Sequence, residues 1–344
     1  MKPLVSILIS AFNAEEYIAE TLRSAVAQTW PRKEIIVIND GSRDRTEQIA
    51  RLFLSREVSV FATENRGLSA GLNHAYRHCQ GDYIQFLDAD DLLSGDKIER
   101  QLAALRDGDG PRTLLSSPWA PFYHRTRGAR FVHNSLWRDL SPVEWLLRKM
   151  QEGIHMQNAT WLVSRELAEA AGPWDEDLYY DQDGEYFARV LLASVGTRFV
   201  PETGIFYRSR GSSRISYIGN SDRKRDSLFR SMKLHILYLQ SLEDSDRVRQ
   251  ACVAYLQIWY EVFYSGRQDV VAEMQDLASK LGGQLETPLL KPKYAWMTPI
   301  FGRKAAQKAQ TMLPHFKADL MRRYDKVLHK LESARRPQVW GSAQ

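Results

Sequence analysis

The first third of the chain alternates two periodicities. Short apolar runs, "LVSILI", "EIIVI", "VSVFA" and "YIQFL", are each followed by a stretch with apolar residues at helical spacing, over residues 14–28, 43–54, 68–79 and 96–105. Runs of the first kind predict strands and stretches of the second kind predict amphipathic helices. A strand–helix repeat in this order predicts a parallel sheet whose crossover helices cover its faces. Ligands of such sheets gather at the carboxyl ends of the strands. The polar segments "SAFNAEEY", "NDGSRDRT", "TENRGLSAG" and "DADD" all fall there, one after each strand.

From residue 114 to 207 the pattern turns irregular. The strand-like pieces "TLLSS", "ATWLVS", "TRFVP" and "GIFYRS" are interspersed with helices expected at 142–151 and 165–171. Beyond about residue 217 strand signals cease and helical periodicity runs nearly to the end, which predicts a helical C-terminal extension over 216–344 following a mixed α/β unit over 1–215. The most apolar helical run, 251–264, is broken by Gln257 and Glu261 and is too short to span a bilayer.

At 344 residues and 44% hydrophobic content the chain can bury a large core. The start "MKPLVSILIS" offers no secretory apolar region and reads as a strand, so a cytoplasmic location is expected. Cys79 and Cys252 stand alone in helix-like surroundings, consistent with buried thiols in a reducing compartment. The net charge of +5 is concentrated at the end, where ten Lys/Arg face three Asp/Glu from Phe301 onward. Such a tail suits either a solvated helical face or peripheral contact with an anionic membrane surface. Its aromatic residues do not interleave with the basic ones, so a nucleic-acid partner is not expected.

The densest chemistry lies in "YIQFLDADDLLSGDK", where Asp88, Asp90 and Asp91 follow a strand directly. Carboxylates crowded this closely repel one another unless a cation or a row of donors relieves them. A calcium loop fails because Leu92 and Leu93 take the places of a ligand and of the obligatory glycine. An aspartyl-phosphate phosphatase would place its nucleophile after the first strand, not the fourth. Capping of the helix near Asp96 accounts for one carboxylate, not three.

The ordered pieces "ISAFNAEEYIAETLRSAVAQTW", "EIIVINDGSRDRT", "NRGLSAGLNHA", "GDYIQFLDADD" and "AGPWDEDLYYDQDGEYFARV" together resemble the family 2 glycosyltransferases over residues 4–210. The resemblance implies a GT-A fold, a Rossmann-like mixed α/β sheet with flanking helices. It also implies transfer of a sugar from a nucleotide diphosphate to an acceptor hydroxyl with inversion. Asp40 would accept a hydrogen bond from the nucleobase, which suits uracil, thymine or guanine because each carries an N–H on its pairing edge. A UDP-sugar is favoured over GDP- and dTDP-sugars. Ala11, Phe12 and Asn13 would line the same pocket. Asp88 and Asp90 match the DxD motif, with Asp90 on a Mn²⁺ or Mg²⁺ ion and Asp88 on the ribose or the water around the metal; Asp91 would support them. Oxygen ligands favour these hard cations.

Asp183, six positions before Arg189, matches the family's general base, although Gln182 replaces an acidic neighbour and Asp181 and Glu185 compete for the role. Leu72 stands where many members carry an arginine, leaving Arg66 as a substitute. Arg208, Arg210 and Arg214 are expected near the diphosphate, and Trp161 and Trp174 are candidates for stacking on a sugar ring. The acceptor implied is a glycan or lipid-linked sugar, as in polysaccharide or glycolipid assembly. A non-catalytic nucleotide-sugar-binding scaffold is the alternative, against which the retention of Asp40, Asp88, Asp90 and Asp183 argues. A nucleotidyltransferase would need a glycine-rich basic loop after the first strand, and "SAFNAEEY" provides none.

Overall fold

The computed structural model describes residues 2–210, 218–219, 221–264, 266–288, 290 and 292–335. The chain runs through β1 (Val5–Ala11), α1 (Ile18–Val26), β2 (Lys33–Asp40), α2 (Thr46–Arg51), β3 (Val58–Thr63), α3 (Leu68–His78) and β4 (Tyr83–Phe86). It continues through β5 (Leu92–Leu93), α4 (Lys97–Ala103), β6 (Thr113–Ser116), β7 (Trp119–Phe122), α5 (Pro142–Glu152), β8 (Val163–Ser164), α6 (Arg165–Ala171), α7 (Gln182–Ala193), β9 (Gly196–Phe199) and β10 (Ile205–Arg208). Helices α8 (Asp222–Leu242), α9 (Asp246–Tyr264), α10 (Gln268–Lys280), α11 (Pro292–Ala295), α12 (Thr298–Phe301) and α13 (Arg303–Arg335) follow.

The main sheet has the order β3-β2-β1-β4-β8, parallel except for the antiparallel β8. All seven residues of β1 are buried, as expected of a central strand covered on both faces. Helix α3 lies unusually tight on this strand. A Cβ on Gly71 would come within 2.1 Å of Ser10 Oγ, so only glycine permits the approach.

Local signals set the helix ends. Ser141 Oγ accepts from Glu144 N at the start of α5, Pro142 occupies the first turn, and Gly153 terminates the helix at φ +64°. Ser164 caps α6 by accepting from Leu167 N. Two strands escape sequence reading: β5 is two residues long, and β7 carries Pro121, a residue that argues against a strand interior. Both flank β10 in a second sheet of order β5-β10-β7, and β6 pairs with β9.

The apolar interior forms two clusters on opposite sides of the main sheet. One, with Ile7, Ile9, Ile18 and Leu22, lies under α1. The other runs unbroken from Leu8, Phe86 and Trp161 through Trp145 and Phe187 to Leu228, Ile236, Leu256 and Met274. Helices α8, α9 and α10 therefore share a core with the sheet. Cys79 and Cys252 are both buried free thiols in that cluster. Among the described residues no helix is long and apolar enough to cross a membrane.

Candidate active site

Two strand tips are laced together at the carboxyl edge of the sheet. Asn13, at the end of β1, adopts φ +47°. Its backbone N–H donates to Ser42 Oγ at 3.0 Å and its side-chain oxygen accepts from Arg43 N at 2.9 Å. Asn is one of the few side chains that enter this left-handed region at little cost, because it can bond locally. Ala14 N donates to Thr46 Oγ1 at 2.7 Å, closing the same seam. Ala11 is buried beneath this turn and Phe12 projects from it, half exposed. Asp40, at the tip of β2, is buried, and its carboxylate accepts from Arg66 N and Gly67 N, each at 2.9 Å. Those two bonds fix the carboxylate at the start of α3 and leave its remaining lone pairs as acceptors.

The acidic turn after β4 lies beside this seam. Asp88 Oδ1 accepts from Asn158 Nδ2 at 3.2 Å. Burial first, then the charges of Asp90 and Asp183, push its carboxyl up to about 7. Burial also raises Asp90, against the pull of Arg210 and Arg208, and burial with the neighbouring Asp90 and Asp88 raises Asp91 well above the usual range. Asp91 holds the adjoining strand by accepting from Arg208 N at 2.7 Å. Arg210 Nε stands 2.6 Å from Asp90 Oδ2. Arg208 is buried and fully engaged: Nε donates to the Asp90 carbonyl, Nη1 to the Tyr123 carbonyl and Nη2 to Glu20. Its guanidinium thus fixes the acidic turn from behind.

A third element approaches the same place. The N-cap of helix α7 is Asp181 in the left-handed conformation, φ +59°, which Asp, like Asn, can adopt. The Asp181 carboxylate accepts from Ser231 Oγ at 2.6 Å. Glu185 accepts from Arg189 Nε and Nη2, at 2.7 and 2.8 Å, and from Tyr238 Oη at 2.7 Å. No side chain among the described residues bonds Asp183, which burial and Asp181 push up to about 6 despite Lys149 nearby. Of the three competing carboxylates, Asp181 and Glu185 are held by side-chain hydrogen bonds and Asp183 has none among the described residues.

Residues 6–153 match the model for Glycosyl transferase family 2. These residues form a family 2 glycosyl transferase domain. A glycosyltransferase of Rickettsia typhi is 31% identical over 192 residues, covering 56% of this chain and 60% of that protein. Bacillus subtilis TuaG, named for teichuronic acid biosynthesis, is 38% identical over 104 residues, covering 29% of this chain and 41% of its own. The chain spans about half the length of the curated relatives it matches. Among solved structures, Staphylococcus aureus TarS 1–349 in complex with UDP-GlcNAc superposes with a TM-score of 0.61 at 18% identity, covering 81% of this chain and 79% of that one. The mannosyltransferase PcManGT of Pyrobaculum calidifontis, with GDP-Man and Mn²⁺, gives 0.52 at 18% identity, covering 91% and 87%. The fold is GT-A.

Beyond the matched residues, the tryptophans expected to stack on sugar are core residues. Trp174 is buried and lies flat on Tyr186, ring centroids 4.1 Å apart, and Trp161 is buried between Trp145 and Phe187. Their rings have no free face, because bulky aromatics fill the wedge between sheet and helices. Arg66 is exposed and pairs with Glu176 at 2.8 Å, and Leu72 is buried in the core. Arg214 lies outside the described residues. Sequence reading missed Asn158, whose only signal is a polar "QNAT" before a strand, and the clamping contacts of Arg208.

The domain's donor set fits a hard divalent cation. Asp88 and Asp90 bring two oxygen-bearing groups whose carboxyls burial raises, with Asp90 and Asp183 adding to the rise at Asp88 and Asn158 and the nearby arginines opposing it. Among the described residues no three His, Cys, Asp or Glu converge on one point, so the protein offers carboxylates and leaves other positions to ligand oxygens and water.

Proposed function

We propose that the protein is an inverting, metal-dependent glycosyltransferase that moves a sugar from a UDP-sugar to an acceptor hydroxyl in polysaccharide or glycolipid assembly. The observation that carries this reading is the state of Asp183. It is the carboxylate of the α7 start without a side-chain partner among the described residues, and its raised pKa of about 6 suits a base working near neutral pH. The laced strand tips and Asp40 bind the nucleoside. Asp90, with Asp88, would hold Mn²⁺ or Mg²⁺, which when bound neutralises charge gathering on the departing diphosphate. Arg210 stands where it can pass from Asp90 to a phosphate oxygen, and Asn158 orients Asp88. Asp183 takes the proton of the attacking hydroxyl, and a single displacement assisted by one base inverts the anomeric centre. TarS with UDP-GlcNAc and PcManGT with Mn²⁺ support the donor class and the cation, and TuaG supports an envelope polysaccharide.

Helix α13 supports peripheral contact with the cytoplasmic membrane face. Leu320, Tyr324, Val327 and Leu331 are exposed at spacings of four, three and four residues, which forms one apolar stripe. At about 100° per residue this stripe lies opposite Asp325 and His329, which face the catalytic layer. Arg322, Arg323, Lys326 and Lys330 lie along the same stretch.

The test combines nucleotide binding with turnover. UDP with Mn²⁺ should raise the melting temperature more than GDP or dTDP, and Asp90→Ala should abolish the metal-dependent part. Asp183→Asn should keep that shift while product formation falls on the order of a hundred- to ten-thousand-fold. Unchanged turnover in Asp183→Asn would remove the base assignment, and no shift with any nucleotide would favour a scaffold.

A further inference from the structure

A chain of polar side chains runs through the apolar interior from the start of α4 to the acidic turn. Gln85 interrupts the strand run "YIQFL", and Lys97 and Gln101 stand one helical turn apart on the buried face of α4. All three are fully buried. Lys97 Nζ donates to Gln85 Oε1 at 2.5 Å and to Gln101 Oε1 at 2.6 Å, and no carboxylate among the described residues bonds it. Burial lowers its pKa well below the ordinary range. Charged or neutral, the amine still carries at least two N–H bonds, the number used here.

The amine sets the direction of both amides. With each carboxamide oxygen turned toward Nζ, each NH₂ group is left to find acceptors elsewhere. Gln85 Nε2 donates to the carbonyls of Phe86 at 2.7 Å and Ala159 at 2.9 Å, and Gln101 Nε2 donates to the carbonyl of Thr160 at 3.0 Å. Two of the three residues in the 3₁₀ turn Asn158–Thr160 are thereby held by their backbone. The third, Asn158, donates from Nδ2 to Asp88 Oδ1 at 3.2 Å. The charges that bear most on Asp88 are those of Asp90, Asp183 and Arg210, so Lys97 reaches it through geometry. An apolar end in place of the amine would strand two amide oxygens in the interior, and turning either amide round to relieve this would strip a carbonyl of the turn of its donor.

We propose that Lys97 is a positioning residue for the metal beside the donor diphosphate: it holds Gln85 and Gln101 in the one orientation that fixes the Asn158–Thr160 turn and aims Asn158 at Asp88. The inference rests on the reading of Asp88 as part of the metal and ribose site, and adds to it a residue that touches neither group. Stability alone is a poor account of the network, because apolar side chains of similar volume usually serve a protein interior as well as a buried cation does.

The experiment compares wild type, Lys97→Met, Asn158→Ala and the double variant as full chains, with two readouts. The first needs no ligand. In spectra of protein labelled at asparagine nitrogen, the Asn158 side-chain signal, identified by its loss in Asn158→Ala, should shift and lose protection from exchange in Lys97→Met. The signal of Asn73, bonded to Trp174 and Glu176, should stay in place. The second readout is calorimetry of Mn²⁺ in saturating UDP. Each single variant should weaken Mn²⁺ binding about three- to tenfold, the fold-change of one net hydrogen bond. The double variant should lose no more than Asn158→Ala alone, since one residue acts through the other. UDP binding in a chelator, which reports Asp40 and the laced strand tips, should not change. An unmoved Asn158 signal, unchanged Mn²⁺ binding or additive losses overturn the role, and so does an equal loss of UDP binding in chelator, which marks general loosening. If wild type itself binds no Mn²⁺ with UDP, the reading of Asp88 fails and the metal role with it; an Asn158 signal that still responds to Lys97→Met identifies that case. Gln101→Met, which removes only the Thr160 arm, takes the place of Lys97→Met if that variant does not fold.

Discussion

Lowering the pH should loosen the joint between the catalytic layer and the helical layer through one residue, His235. Its side chain on α8 is fully buried, with Nδ1 3.0 Å from Tyr255 Oη, Asp181 at 3.9 Å and Lys149 near enough to oppose a second positive charge. Burial, with Lys149, lowers its pKa from 6.5 to about 4. In the unfolded chain the imidazole regains its ordinary value, so between about pH 4 and 6.5 the unfolded state binds more protons than the native one. Stability then rises with pH across that window: the contribution is complete above 6.5 and is lost as the pH falls through 4. The difference between 6.5 and about 4, at about 1.4 kcal/mol per pH unit, amounts to about 3 kcal/mol. At about 2.1 cal/mol/K of unfolding entropy per residue, that corresponds for 344 residues to a fall of roughly 4 °C in melting temperature. Asp183 and Asp88 act with the opposite sign, because their pKa values are raised, to about 6 and about 7, and their contribution is lost as the pH rises. The comparison must therefore be differential. Unfolding of wild type and His235→Gln, which keeps a hydrogen-bonding partner for Tyr255, is followed from pH 4 to 7.5 in a chelator. The wild type should lose about 3 kcal/mol more than the variant over that range. Parallel curves for the two proteins would refute the buried-neutral assignment.

Two other outcomes follow from the packing and from the tail. Trp174→Ala should cost about 3–5 kcal/mol of stability by opening a cavity against Tyr186 and Phe86; a raised acceptor KM with unchanged melting temperature would instead put the ring in a sugar site. Flotation with anionic liposomes should carry the protein upward in low salt. Leu320→Asp/Val327→Asp should prevent this without lowering the melting temperature, and equal flotation of both proteins would discard the stripe as the contact.

The parallel half of the fold was legible because its inner strands β1 and β2 are buried on both faces and read as continuous apolar runs, and because each strand is followed by a helix-period segment. The helices at α5 and α6 were legible from their Ser caps, with the N1 proline and Gly153 marking the ends of α5. Strands β5 and β7 were not, since a two-residue strand has no period and Pro121 argues against one. At the site, residue types and spacing singled out the acidic turn and the start of α7, but not which carboxylate is free. That depends on Ser231 and Tyr238, some fifty residues away on α8, which occupy Asp181 and Glu185. Side chains that meet across such separations leave no local periodicity. The tryptophans misled for a related reason: an aromatic beside a motif reads the same whether its ring faces a cleft or a core.

The apolar interior that runs without interruption from Phe86 to Met274 sets a condition on how this molecule can diversify. A transferase whose helical layer rested on it like a detachable module could exchange that layer for another and acquire a new partner in one step. Here Trp145, Phe187, Leu228 and Leu256 interlock, so a change of volume on one side must be answered on the other. Variation is cheap only where little interlocks, as in the largely exposed residues 127–133 between β7 and α5. New acceptors are therefore expected to be acquired by rewriting loops, while the two layers drift together as one inherited unit.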